Sequence, residues 1–181
     1  MYMKGMVNPP DSLLVVIDIQ DRLMPVIYQA DRVFSNTQKL IDGFHALQAD
    51  IIVTEQYPKG LGKTCPEIVF SSQTPVIEKT SFSCLQNSYF GDHLKSKKSL
   101  ILCGVEAHIC VLKTALDAVN QGFDVHVVAD AVSSREEYNK LIALERMKQS
   151  GVYLTTVESI LFQMIDFAGT DAFKAISRII R

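Results

Sequence analysis

The chain contains no tryptophan, only four cysteines and four histidines, and no marked excess of either charge. Cys65, Cys84, Cys103 and Cys110 include no Cys-x-x-Cys pair. The opening "MYMKGMVNPPDS" has no apolar signal core and no Arg-rich amphipathic pattern. A disulfide framework is therefore not expected, and reduced thiols are the default. The expected compartment is the cytoplasm, with the mitochondrion left open. No apolar run approaches the roughly 20 residues that span a bilayer, so no membrane partner is expected. Lys and Arg number 18 against 20 Asp and Glu, a formal net charge of −2. Such a balance attracts neither nucleic acid nor an anionic membrane. The one basic cluster, Lys95, Lys97 and Lys98, reads as a solvated loop.

What remains is an apolar-rich chain of 181 residues, 48% hydrophobic. That suits one domain, residues 1–181, with a sizeable core. "SLLVVID" (12–18) is a continuous apolar run, as a strand covered on both faces would be. Further strands are predicted at 50–55, 74–79, 99–104, 124–130 and 151–156. Helical periodicity fills most intervals: 31–49, 111–122 closed by Gly122, and 136–149. The tail from about 157 to 180 reads as one or two helices, interrupted near Gly169 and Thr170. Residues 56–67 form a Gly- and Pro-rich loop. This alternation predicts an α/β fold in three layers, a six-stranded mostly parallel sheet with helices on both faces.

In open α/β sheets the binding crevice lies beyond the carboxyl ends of the strands. The polar residues delivered there are Asp18 and Gln20, Glu55 and Gln56, Glu78 and Lys79, Glu106, His108 and Cys110, and Asp130 and Ser133. Cys110 falls at the entry to a helix, where unpaired N–H groups favour a thiolate. A free cysteine is also among the most buried residue types, so position alone leaves Cys110 open between catalysis and packing. Asp18 is open between a cap and a working carboxylate, and Lys79 between a solvated lysine and a working one. Cys103 lies inside an apolar strand and reads as core. Cys65 and Cys84 fall in loops without an assignable charged partner.

Three motifs occur together: "VVIDIQ" around Asp18, "VIEKTSFS" around Lys79 and "CGVEAHICVLKTA" around Cys110. In combination, and over nearly the whole chain, the sequence resembles the isochorismatase-like cysteine hydrolases. "TEQYPKGLGKT" and "DVHVVADAVSSR" are similar to the branch called isochorismatase domain-containing proteins. The resemblance implies an isochorismatase-like, Rossmann-like sheet and a catalytic triad of Asp18, Lys79 and Cys110. It implies that Cys110 attacks a carbonyl to give a thioester, with Asp18 as base and Lys79 supporting thiolate and carboxylate. It implies an oxyanion hole from the backbone amides of Glu106 and Cys110, with Val105–Glu106 as a cis candidate.

Relatives that hydrolyse nicotinamide hold a metal with Asp and His after the second strand. Here "VTEQYPKGLGKT" offers Glu55 and no histidine, a poor transition-metal set. No G-x-G-x-x-G follows the first strand. Neither a metal nor another cofactor is expected, and the expected partner is a small-molecule substrate. Isochorismatases proper lack the cysteine, so keeping Cys110 points to amide, ureido or related acyl chemistry. Gln20, Tyr57, Phe82 and His108 flank the motifs as candidate substrate contacts, with Tyr89 a weaker one, although packing is the commoner use of such rings. Two other classes stay open: an interaction protein that keeps the fold, and a thiol-redox protein in which Cys84 or Cys103 resolves Cys110. The apolar tail, with Ile160, Leu161, Phe162, Ile165, Phe167 and Phe173, exceeds what one helix face needs and suggests a homo-oligomer, with burial in its own domain as the other reading.

Overall fold

The structure is a computed structural model that describes residues 4–181; the first three residues of the opening segment lie outside it. Strand β1 (Ser12–Ile17) is buried at every position, which is why its sequence is a nearly unbroken aliphatic run. It pairs in parallel with β2 (Asp50–Gln56) on one side and β4 (Ser99–Val105) on the other. β3 (Val76–Lys79) lies beyond β2, and β5 (Asp124–Ser133) and β6 (Tyr153–Thr155) lie beyond β4. The order is β3-β2-β1-β4-β5-β6, and every pairing is parallel.

Successive residues of β1 face opposite sides, so one strand feeds two cores. Leu14 and Val16 pack with α1 (Ala30–Ala46), α6 (Val157–Gln163) and α7 (Asp171–Ile180). Leu13, Val15 and Ile17 pack with α3 (Ser88–Gly91), α4 (Leu112–Asn120) and α5 (Glu137–Gln149). Each fully buried aliphatic side chain contributes roughly 1.5–3 kcal/mol. The expected helices on both faces are present. No helix among the described residues is long and apolar enough to cross a membrane.

Two local outcomes differ from the sequence pattern, and the tail divides where it was expected to. Residues 58–61 of the Gly- and Pro-rich loop form a helical turn, α2 (Pro58–Leu61). β5 runs on to Ser133, because its register against β4 shifts: Leu102 pairs with Val127, but Gly104 pairs with Val132. This bulge carries the chain past the end of β6 and sets Ser133 and Ser134 beside the β4 carboxyl end. The tail divides into two helices at Gly169, and the Thr170 hydroxyl accepts the Phe173 N–H at 3.1 Å as an N-cap. Its apolar residues serve the chain's own core. Ile160 and Leu161 are fully buried, and Phe162 meets Phe173 edge-on at 6.1 Å between centroids. Only Phe167 of that set stands well exposed, at 74%.

The strand order reverses between β1 and β4, and a crevice opens outside their carboxyl ends at such a switch point. Gly104 lies there with φ +107°, and a β-carbon would collide with the Ile17 carbonyl. A side chain at 104 would push β4 away from β1 where the two must converge.

Candidate active site

Asp18 is the first residue after β1 and holds a left-handed backbone, φ +53°. Its N–H donates to the Thr54 carbonyl at 3.2 Å. Its carboxylate accepts from the Thr54 hydroxyl at 2.7 Å on Oδ1 and from Lys79 Nζ at 2.7 Å on Oδ2. Lys79 closes β3 and reaches across β2 to make that contact. Its ammonium also donates to Gln56 Oε1 at 2.6 Å and to the Ser81 carbonyl at 3.4 Å. The pair is almost wholly removed from water, with side chains 0% and 1% exposed. Burial works against the ammonium, but Asp18 and the neighbouring Cys84 and Cys110 outweigh it and hold Lys79 above its ordinary pKa. Burying such a pair costs desolvation that an apolar pair would avoid, so stability alone does not account for it.

Cys110 sits in a π-helical turn (Ala107–Val111) that runs on into α4, a feature that recurs at functional sites. Cys110 is 6% exposed, and its thiol lies near Asp18 and Lys79. Asp18, Glu106 and Cys110 border a cavity of about 90 Å³, walled mainly by Leu61, Phe82 and Ile109. The Val105–Glu106 peptide is cis. The expectation of a depressed thiol pKa is corrected here. Burial, then the Asp18 carboxylate, push the Cys110 thiol above its ordinary range, and Lys79 only partly opposes them. The helix start does not offset a carboxylate in contact. Burial and Asp18 both favour the neutral thiol over the thiolate.

The flanking candidates fall into two groups. Phe82 walls the cavity. Tyr57, with φ +38°, lines an adjoining cleft of about 320 Å³ together with Pro58, Lys59, Glu78, Lys79 and Thr80. Gln20 is fully buried, and its amide joins the Gln56 backbone and the Gly62 carbonyl, so it braces the site. His108 pairs through Nδ1 with Ser134 Oγ at 2.9 Å, away from the cavity lining. Tyr89 is 76% exposed.

Sequence reasoning missed three contributors. Thr54 orients Asp18, and Arg135 binds the Glu106 carboxylate through its backbone N–H at 3.0 Å and its Nε at 3.1 Å. Cys84, expected in a loop without a charged partner, is fully buried beside Lys79. Its N–H donates to Thr114 Oγ1 at 3.0 Å, one helical turn beyond Cys110. Burial pushes the Cys84 thiol up to about 11. The one signal for Arg135 was its place after β5, hidden until the bulge carried it to β4.

Glu55, the one carboxylate of the stretch read above as a poor metal set, is fully engaged by its own loop. Its carboxylate accepts from Lys63 Nζ at 3.0 Å and from the Thr64 N–H and hydroxyl at 2.8 and 2.9 Å. Burial alone would raise its pKa, but these bonds lower it. Among the described residues no three His, Cys, Asp or Glu side chains gather as a metal set.

Residues 12–159 match the isochorismatase domain. The chain belongs to the isochorismatase family. It is 41% identical over 179 residues to isochorismatase domain-containing protein 2 of Danio rerio, covering 97% of this chain and 90% of the relative. The MAR1 ribonuclease from Caenorhabditis elegans superposes with a TM-score of 0.94 at 38% identity, covering 97% of this chain and 92% of that one. YcaC from Pseudomonas aeruginosa, solved with hexane-2,5-diol and covalent acrylamide, superposes with a TM-score of 0.88 at 26% identity, covering 97% and 92%. The isochorismatase-family hydrolase fold thus accounts for almost the entire chain.

Proposed function

We propose that this isochorismatase-family protein is a metal-independent cysteine hydrolase acting on a small amide, ureido or related acyl substrate. The observation that carries this reading is the buried Lys79–Asp18 pair set against Cys110 beneath one small cavity. The Cys110 sulfur attacks the substrate carbonyl while its proton passes to the Asp18 carboxylate. Lys79 holds Asp18 in place and compensates the charge that develops on sulfur. The amides of Glu106 and Cys110, both bordering the cavity, face the oxyanion. The proton returns from Asp18 to the leaving nitrogen, which departs as amine or ammonia and leaves a thioester. Water then attacks the thioester, losing its proton through Asp18, and releases the acid and the thiol. Phe82 is assigned to the substrate wall, and Tyr57 to the outer cleft.

Acrylamide, the small neutral amide in the YcaC structure, is the kind of molecule this cavity suits. The worm relative is named a ribonuclease, but a formal net charge of −2 and a cavity far smaller than a nucleotide do not favour an RNA substrate here. A redox role asks for a readily ionised thiol, whereas burial pushes both Cys110 and Cys84 up. Assembly into more than one copy belongs to the same reading, through the exposed side of α5.

The test is a hydrolysis screen over small amides, ureido acids and esters, with Cys110→Ala alongside. Turnover lost in the variant and unchanged by a chelator is expected. Release of nucleotides from RNA that requires Cys110, or activity that returns only with added metal, overturns the reading.

A further inference from the structure

We propose that the Glu106 side chain is the specificity determinant of the cavity, accepting an N–H from a small uncharged amide or ureide and turning carboxylate-bearing substrates away. The inference rests on the cysteine-hydrolase reading and adds a role for a group that reading uses only through its backbone.

The Glu106 side chain is 8% exposed and borders the cavity beside Asp18 and Cys110. Arg135 fixes it from one side only: both bonds, from the Arg135 N–H and Nε, end on Oε2. Oε1 accepts no hydrogen bond among the described residues. A carboxylate oxygen is purely an acceptor. A ligand in contact with it gains by bringing an N–H and loses by bringing a second anion.

The remaining lining sharpens this. Leu23, Leu61, Phe82, Val105 and Ile109 are apolar, the Gln56 amide is already bonded to Lys79 and to the Thr80 carbonyl, and no lysine or arginine lines the cavity. Its two carboxylates, Asp18 and Glu106, each engage a cation that lies outside the lining, Lys79 and Arg135. No cation is left over within it to bind a substrate carboxylate, whose unpaired burial is costly. The cavity, at about 90 Å³, is well below the roughly 300–1,000 Å³ of pockets for drug-sized ligands. The matching ligand is therefore small, neutral and equipped with N–H donors.

Alkylation of Cys110 tests this without relying on turnover. Iodoacetamide, iodoacetate and methyl iodoacetate share a leaving group, and the first two share size, the ester being one methyl larger. The first is neutral with N–H donors, the second is anionic, and the third is neutral without donors. Rates at Cys110, followed by mass spectrometry, are divided by the rates of the same reagents with glutathione. Wild type should favour iodoacetamide over iodoacetate by at least about tenfold after that correction, as like charges brought together are disfavoured. Methyl iodoacetate should fall between them. Glu106→Gln, which keeps the shape and removes the charge, should bring the iodoacetate ratio back toward that of glutathione. Equal corrected rates for all three reagents in wild type overturn the proposal, as does a ratio that Glu106→Gln leaves unchanged in a folded variant. If Glu106→Gln does not fold, the three wild-type rates decide alone. Failure of Cys110 to react with any of them strikes the cysteine-nucleophile reading itself, and this proposal with it.

Discussion

A neutral thiol beside a carboxylate and an ammonium makes opposite demands on its two neighbours, and this separates their roles. Asp18 raises the Cys110 pKa and Lys79 lowers it. Asp18→Asn should therefore lower the thiol pKa while abolishing turnover, since the proton acceptor is gone. A positioned general base contributes about 10²–10⁴-fold, and a loss of that size in kcat is expected. Lys79→Met should raise the thiol pKa and also slow turnover. The measurement is ultraviolet absorbance of the thiolate against pH, wild type and each variant being compared with its Cys110→Ser counterpart. A thiol pKa that moves the same way in both variants would contradict this division. The three residues were legible in the sequence, Asp18 and Lys79 as polar groups ending apolar runs and Cys110 at a helix entry, and the resemblance implied their roles. The sign of the thiol shift was not, because it depends on burial and on the nearness of Asp18, which spacing does not encode. Cys84 was hidden for the same reason: residues 80–91 carry no apolar periodicity to show that the segment folds back onto α4.

At the level of strands and helices, the long apolar runs were legible because a parallel strand covered on both faces leaves no other composition open to it. The β5 bulge was not, because a register shift arises between two strands and has no pattern within either. Its consequence reaches the candidate site, since it delivers Ser134 to His108 and Arg135 to Glu106. Before the bulge, β5 carries His126, 2% exposed and stacked on Tyr153 of β6 at 5.0 Å between ring centroids. Its Nε2 has no hydrogen-bond partner among the described residues. Burial pushes its pKa down to about 4 from 6.5. The folded state thus binds the His126 proton less readily than the unfolded chain does. The stability linked to His126 is intact above about pH 6.5 and is lost as pH falls toward about 4, by an amount on the order of 3 kcal/mol in total. His126→Phe keeps the stack and removes the titration. Unfolding midpoints in urea between pH 7 and pH 4 should fall steeply in wild type and more gently in the variant. Identical slopes would assign acid sensitivity to other groups.

For the whole molecule, the question is which apolar surface remains once the core is closed. The tail reads as surplus in sequence, but α6 and α7 are consumed in covering the sheet, with Ile160, Leu161 and Ile176 fully buried. The exposed apolar residues lie elsewhere. On α5, Tyr138, Leu141 and Ile142 are 72%, 54% and 52% exposed, and their i, i+3, i+4 spacing places them on one side of the helix. The opposite side of the same helix is anchored by Ala143 and Met147, at 2% and 0%. An amphipathic helix needs only one apolar side to hold it to its own sheet, and a second calls for a second surface. A stable interface covers about 800 Å² on each partner, so the three residues would form its centre and not its whole extent. Sedimentation of the wild-type protein at micromolar concentration should give a mass above 20.2 kDa. Leu141→Asp combined with Ile142→Asp should return it to the monomer mass with little change in unfolding temperature beyond what assembly supplied. Phe173→Ala should behave in the opposite way. It removes one ring of the Phe162–Phe173 pair and part of the α7 packing, lowering stability by about 1–3 kcal/mol, and leaves the assembled mass unchanged. A wild-type protein that sediments only as monomer removes the assembly claim. An assembly that survives both α5 charges but dissolves on Phe173→Ala returns the interface to the tail.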